Sequence, residues 1–474
     1  MKLKIILGLS SALCWSLGQV HGQESGEVEQ LRKQLQQANE AFQKAVDQHR
    51  QIIEALNKRV ESMQGTSAVM AQPAKPPPAS GASPLPSTPP LSPSQPISLA
   101  KAGSTYMNIS FDTLLDAGWS TARDPSVRLN LGDHDPQERG FTLPNAEIAL
   151  DGAVDPYFKG FANIVLKLDR HNETSIELEE AYLQSSSLPA NLQLKAGQFF
   201  AAFGRQNPQH PHQWAFVDSP LILTRAFGPD GLRNVGGQLS WLMPLPFFSE
   251  FTLGVFNGEG GTAHSFRNPG GDGGVHGRAT LDRTLRGPGD LLFTPRLAAS
   301  FELTDQQTLV AGISGAFGPN DTDAHANTQI YGADFYWKWK PARAREGFPF
   351  VSWQTEALYR RFEAGADATA TPAALPQETL RDYGFYSQAL WGFKTHWVAG
   401  LRGEFVDGNS GAFDAGDVFR GQRTRVSPGL TWFPSEFSKL RLQYNYDHGK
   451  SFGEDHSVWL QVEFLLGAHG AHKF

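Results

Sequence analysis

The chain has 474 residues, with 41 Lys+Arg against 48 Asp+Glu and a formal charge of −7, a poor balance for a basic nucleic-acid binder. Apolar residues make up 40 %, and past the extreme N-terminus no apolar run reaches 18 residues, which rules out a polytopic helical membrane protein. Glycine (48), phenylalanine (32), tryptophan (11) and tyrosine (10) are abundant, a mixture that suits a β-rich, aromatic-belted chain.

Residues 1–22 read as a secretory signal peptide. Lys2 and Lys4 form a positive start, 5–17 is an apolar core, and Val20-His21-Gly22 precedes the expected cut before Gln23. The single cysteine, Cys14, falls inside this segment, so the mature chain is expected to lack thiols, disulfides and cysteine metal sites. Residues 24–64 are charged and proline-free. Val28, Leu31, Leu35, Ala38, Phe42, Ala45, Ile52, Leu56 and Met63, with His49 and Arg59 on the same register, recur at alternating spacings of three and four, the seam of a short coiled coil expected in the periplasm. Residues 65–103 hold ten prolines and two charges, Lys75 and Lys101, and are expected to form an extended linker.

From 104 to 474 the period changes to two. Tyr331, Ala333, Phe335, Trp337 and Trp339 alternate with Asp334, Tyr336, Lys338 and Lys340; Val458, Leu460, Val462 and Phe464 alternate with Trp459, Gln461 and Glu463. Sixteen strands are predicted: 106–115, 141–153, 157–168, 174–183, 191–200, 236–245, 249–257, 291–303, 308–317, 328–340, 350–363, 381–392, 396–406, 423–433, 438–447 and 457–466. Even-numbered connections are short and odd-numbered ones mostly long. That segregation marks an outer-membrane barrel with short periplasmic turns and long external loops, and a soluble barrel has no reason for it. The expected fold is all-β, a transmembrane antiparallel barrel of about sixteen strands, in the outer membrane of a Gram-negative bacterium. The terminal Phe474 suits recognition by the barrel-assembly machinery.

The third external loop, taken as 201–235, is the longest by this reading. It carries Arg205, His210, His212, Asp218, Arg225, Asp230 and Arg233, charges suited to a pore constriction if the loop folds inward. Inward strand positions place Lys159, Lys195, Arg296, Lys338, Arg360, Arg402 and Arg441 in the lumen, with Glu177, Asp334, Glu404, Asp447 and Glu463 as inward acids.

Glu180-Ala181-Tyr182-Leu183, then Leu194-Lys195-Ala196-Gly197-Gln198-Phe199 and Phe203-Gly204-Arg205, resemble the phosphate-selective porin O and P family, and Asn145-Ala146-Glu147-Ile148 is similar to its early strands. The resemblance implies a trimeric sixteen-stranded channel whose third loop lines the pore. The substrate does not carry over: residues 104–474 hold 31 bases and 41 acids, a poor anion funnel unless the acids lie on the rim.

The expected function is passive diffusion of small hydrophilic solutes or ions. No cofactor is implied, and no His-Glu-x-x-His constellation points to an enzyme. Two alternatives stand beside it. Nine histidines fall in predicted external loops (His134, His171, His210, His212, His264, His276, His325, His448 and His456), and His210-Pro211-His212 could hold a zinc-type ion in a metal-uptake channel. A structural tether without conductance is the second.

Overall fold

The computed structural model describes residues 97–103, 105–153, 155–168, 173–267, 275–414, 417 and 420–467. The signal peptide, the coiled-coil segment, most of the linker, His171, His469, His472 and Phe474 lie outside the described residues.

The chain forms one antiparallel sheet. A short strand β1 (Ile97–Ala102) is followed by β2 (Thr105–Ser120), β3 (Gly140–Ala153), β4 (Phe158–Leu168), β5 (Thr174–Ser185), β6 (Leu192–Phe200), β7 (Arg233–Leu242), β8 (Phe248–Phe256) and β9 (Leu292–Thr304). Then come β10 (Gln307–Pro319), β11 (Asn327–Trp339), β12 (Phe350–Ala364), β13 (Glu378–Lys394), β14 (Trp397–Gly408), β15 (Arg423–Ser435), β16 (Ser438–Gly449) and β17 (Gly453–Leu466). Each strand from β2 onward pairs with its successor, and β17 closes on β2 from Leu466↔Phe111 to Ser457↔Ser120. The barrel therefore has sixteen strands and no open edge, and all sixteen overlap the predicted segments.

Several boundaries differ from the sequence reading. Residues 97–102, assigned to the linker, form β1, which pairs with β2 from Ile97↔Ile109 to Ala102↔Thr105 and so extends the edge that β17 leaves at Phe111. Strand β7 begins at Arg233, so that residue is in the wall and the third long connection is 201–232. The connection 257–291 is then the longer of the two. His448 and His456 lie within β16 and β17 and not in a loop.

The barrel is inside-out relative to a soluble protein. Leu401, Leu442, Leu460, Phe385 and Phe464 are exposed, whereas Arg402, Gln443, Gln461, Asp382 and Asp447 are buried. Alternation along each strand sends apolar side chains to the surface and polar ones to the interior, as a bilayer requires. Aromatics edge the apolar band. Tyr331, Tyr359 and Tyr383 face each other across three strands near the long loops, and exposed Trp353, Trp391 and Trp432 lie near the short turns. Amphipathic rings of this kind belong at the two membrane interfaces.

Candidate constriction site

The connection 201–232 folds into the barrel. Phe203, Leu221, Ile222, Leu223, Phe227 and Leu232 pack with Phe199, Phe256, Ile330, Leu358 and Val406 of the wall into an apolar cluster inside the lumen. The entry turn is fixed by two glycines. Gly204 has φ +60°, and the backbone N–H groups of Arg205 and Gln206 donate to Glu356 Oε1 at 3.1 and 2.7 Å. On β11, Gly332 leaves room for the Phe203 ring: a Cβ there would stand 2.6 Å from it. The loop is thereby pinned to β12 before it turns back. Its short helix, Leu221–Phe227, is buried along its whole length against β12, β13 and β14, and Glu404 accepts from the Leu221 N–H at 2.7 Å at the helix start.

Two walls of opposite charge hold the loop. Strands β12–β16 contribute Arg360, Arg402, Arg423, Arg425, Lys439 and Arg441, all buried. Much of this positive charge engages the loop itself. Lys439 donates to the His212 carbonyl, Arg441 to the Trp214 carbonyl at 2.6 Å and Arg402 to the Asp218 carbonyl at 2.9 Å. The carboxylate of Asp218 accepts from Arg402, from Arg425 at 2.7 Å, from Gln443 at 2.8 Å and from Asn445 at 2.9 Å. Burial alone would push its pKa up, but Arg402 and Arg425 bring it down to about 2.

The opposite wall, β2, β3 and β5, is acidic. Asp112, Glu147, Glu179 and Glu180 are all buried. Glu179 and Glu180 are consecutive, so regular alternation would send one of them to lipid. A β-bulge opposite Asn163/Ile164 adds a residue to β5, and both carboxylates turn inward. His210 sits between them, with Nδ1 2.7 Å from Glu179 Oε2 and Nε2 2.9 Å from Glu180 Oε2. Burial would lower its pKa, yet Glu179 and Glu147 raise it well above the ordinary imidazole value. His212 stacks on it at 5.7 Å between centroids.

The predicted residues thus divide into groups. His210 and His212 are buried against the barrel wall, not displayed outside, because four carboxylates compensate them there. Asp218 joins the basic wall, and Arg225 donates to the carbonyls of Arg420 and Gly421 at 3.1 and 2.7 Å. Asp230 lies 3.9 Å from Lys167, which also pairs with Asp133 and Glu177, and Arg233 pairs with Glu177. Arg402 and Arg441 are buried under the loop, while Arg296 is bound bidentately by Asp334 at 2.5 and 2.9 Å. Lys159 is exposed at the short-turn end, on the inward side of β4. Arg205 and Lys338 are half-buried. The Arg205 guanidinium lies 3.9 Å from the Tyr336 ring centroid and makes no ion pair among the described residues.

Sequence reasoning missed the other outer loops, which also turn inward. His134 and Asp135 of 121–139 are buried, and Asp135 accepts from the Ser219 N–H at 2.7 Å. From 257–291, Phe266 joins the apolar cluster and Arg267 and Arg278 are fully buried.

No model of a known protein family matches the chain. Among solved structures, the outer-membrane channel DcaP of Acinetobacter baumannii is similar at 11 % identity and TM-score 0.51, covering 77 % of this chain and 99 % of that one. An anion-selective porin from Comamonas acidovorans is similar at 8 % identity and TM-score 0.49, over 76 % of this chain and all of that one. The former likeness is one of fold: a porin-type sixteen-stranded barrel. In sequence, an uncharacterized protein of Aquifex aeolicus is 31 % identical over 361 residues, 71 % of each chain. At that identity and coverage, the chain belongs to the same family as the Aquifex aeolicus protein.

Proposed function

We propose that the protein is an outer-membrane channel through which small hydrophilic solutes and ions diffuse passively, narrowed by the connection 201–232. The observation that carries this reading is the inside-out barrel with a charged interior crossed by that connection. A barrel whose only task was anchorage has no use for so many compensated charges on its inner wall. The test is conductance of the purified protein in planar bilayers. Discrete single-channel steps are expected, and their absence would overturn the reading.

Ion selectivity is the finer part of the proposal. Asp218, Asp382, Asp447 and Glu404 are bound to arginines, so these four acids present no free charge to a solute. The half-buried cations Arg205 and Lys338 are the groups best placed to meet a solute. With the Glu180–Leu183 and Leu194–Phe199 motifs they support the likeness to phosphate-selective porins and a preference for small anions. Reversal potential in a KCl gradient decides it: a cation-selective wild type would sink this part. Arg205→Glu should move the reversal potential toward cations. A trimeric assembly, with the segment 24–64 in the periplasm, completes the proposal, and the mass of the detergent-solubilised complex tests the trimer.

A further inference from the structure

The acidic wall poses a problem of compensation. Four buried carboxylates, Asp112, Glu147, Glu179 and Glu180, meet two stacked imidazoles. His210 answers Glu179 and Glu180, and Lys195 stands 3.8 Å from Glu180. Asp112 and Glu147 face His212. Asp112 is fully buried and neither of its oxygens accepts a hydrogen bond among the described residues. A buried carboxylate in that condition costs several kcal/mol unless a cation answers it. The nearest ammonium, Lys439, is engaged by Glu463 at 2.5 Å and by the His212 carbonyl.

We infer that Asp112, Glu147 and His212 bind one divalent transition-metal ion of the zinc class, which fastens the inward loop to β2 and β3. His212 Nδ1 lies 3.4 Å from Glu147 Oε2 and 3.9 Å from Asp112 Oδ1, and the three ligand atoms all lie within 4.8 Å of one another. The 3.9 Å separation is too long for a hydrogen bond. The 3.4 Å separation matches an edge of a coordination polyhedron, since bonds of about 2.0–2.2 Å in a tetrahedral site put ligand atoms roughly 3.3–3.6 Å apart, and Asp112 would close on the ion by a few tenths of an ångström on binding. An imidazole with two carboxylates selects zinc-class ions over calcium or magnesium. His210 Nδ1 stands 3.8 Å from the same Glu147 oxygen, Oε2, and is itself clamped between Glu179 and Glu180, so a second imidazole borders the site. The three ligands come from β2, β3 and the loop, so the ion would join segments that the chain brings together only when the loop is inside.

The test uses the full-length protein in detergent, stripped with a chelator and titrated with Zn2+ by calorimetry, and separately with Co2+ by visible absorption. Wild type is expected to bind saturably, with intense Co2+ bands of a low-coordination N/O site. Asp112→Asn and His212→Ala should each weaken this binding by roughly 100-fold. The exposed His325→Ala should leave it unchanged. Absence of saturable binding in wild type overturns the proposal whatever the variants do, as does undiminished binding in both variants. Heat-modifiability on gels verifies that each variant is a folded barrel, and His212→Gln replaces any that is not.

Discussion

Asp218 concentrates more of the loop's anchorage than any neighbour, because one carboxylate serves two guanidinium groups and two amides drawn from β14, β15 and β16. Asp218→Asn keeps the shape but leaves Arg402 and Arg425 short of a counter-charge in a buried site. Breaking such a pair typically costs about 3–5 kcal/mol. Release of the loop should follow, read as faster hydrogen exchange over 201–232 with the barrel strands still protected. Acid should do the same. The charged groups facing Asp218 are Arg402, Arg425, Arg441, Glu404, Asp116 and Asp135. Its pKa falls from 3.8 to about 2 on folding, so its contribution is complete above pH ~4 and is lost as pH drops toward 2. Loop protection should therefore decline across that window in wild type and show no such step in Asp218→Asn.

At the level of elements, the loop 201–232 behaves as a piece of core that happens to lie in the lumen. Its apolar residues bury against the wall, and its polar main chain is answered by wall side chains. Loosening its entry turn should widen the channel. Gly204→Val forces a β-branched residue into φ +60° beside Glu356, at a cost of about 1–3 kcal/mol. Gly332→Leu displaces the Phe203 ring from β11. Both should raise single-channel conductance, and unchanged conductance in both would mean that the loop does not set the constriction. The strands were legible in the sequence because one face must be apolar for lipid and the other polar, so Val458 to Phe464 announces itself by period two. The site was legible only in part. Length and charge marked the loop as special, and Gly204 sits in the motif that carried the resemblance. The inward turn of both Glu179 and Glu180 was invisible, because a bulge breaks the alternation from which faces are read. The partners of Asp218 were invisible for another reason: Arg425, Gln443 and Asn445 lie more than 200 residues away, and no local pattern records such a pairing. Strand β1 escaped because a six-residue segment after a proline-rich run has little period to show.

For the whole molecule, the argument rests on the sign of the alternation, and neighbouring residues on one strand can test it. Leu401 and Arg402 of β14 face opposite ways: Leu401 is 54 % exposed and Arg402 is 1 % exposed. In a soluble barrel, a charge at an exposed leucine would be harmless. In a membrane barrel, Leu401→Arg puts a cation on the lipid face in the middle of a strand, at a cost of about 2–4 kcal/mol near the bilayer midplane. An arginine at Phe393, exposed next to the short turn, should cost about 0–1 kcal/mol because it lies at the interface. Urea titration of folding into lipid vesicles measures both. The depth dependence separates membrane insertion from ordinary packing, since a packing defect has no reason to follow distance from the midplane. Equal effects of Leu401→Arg and Phe393→Arg would invert the assignment of the two faces, and with it the reading of the buried charges as lumen.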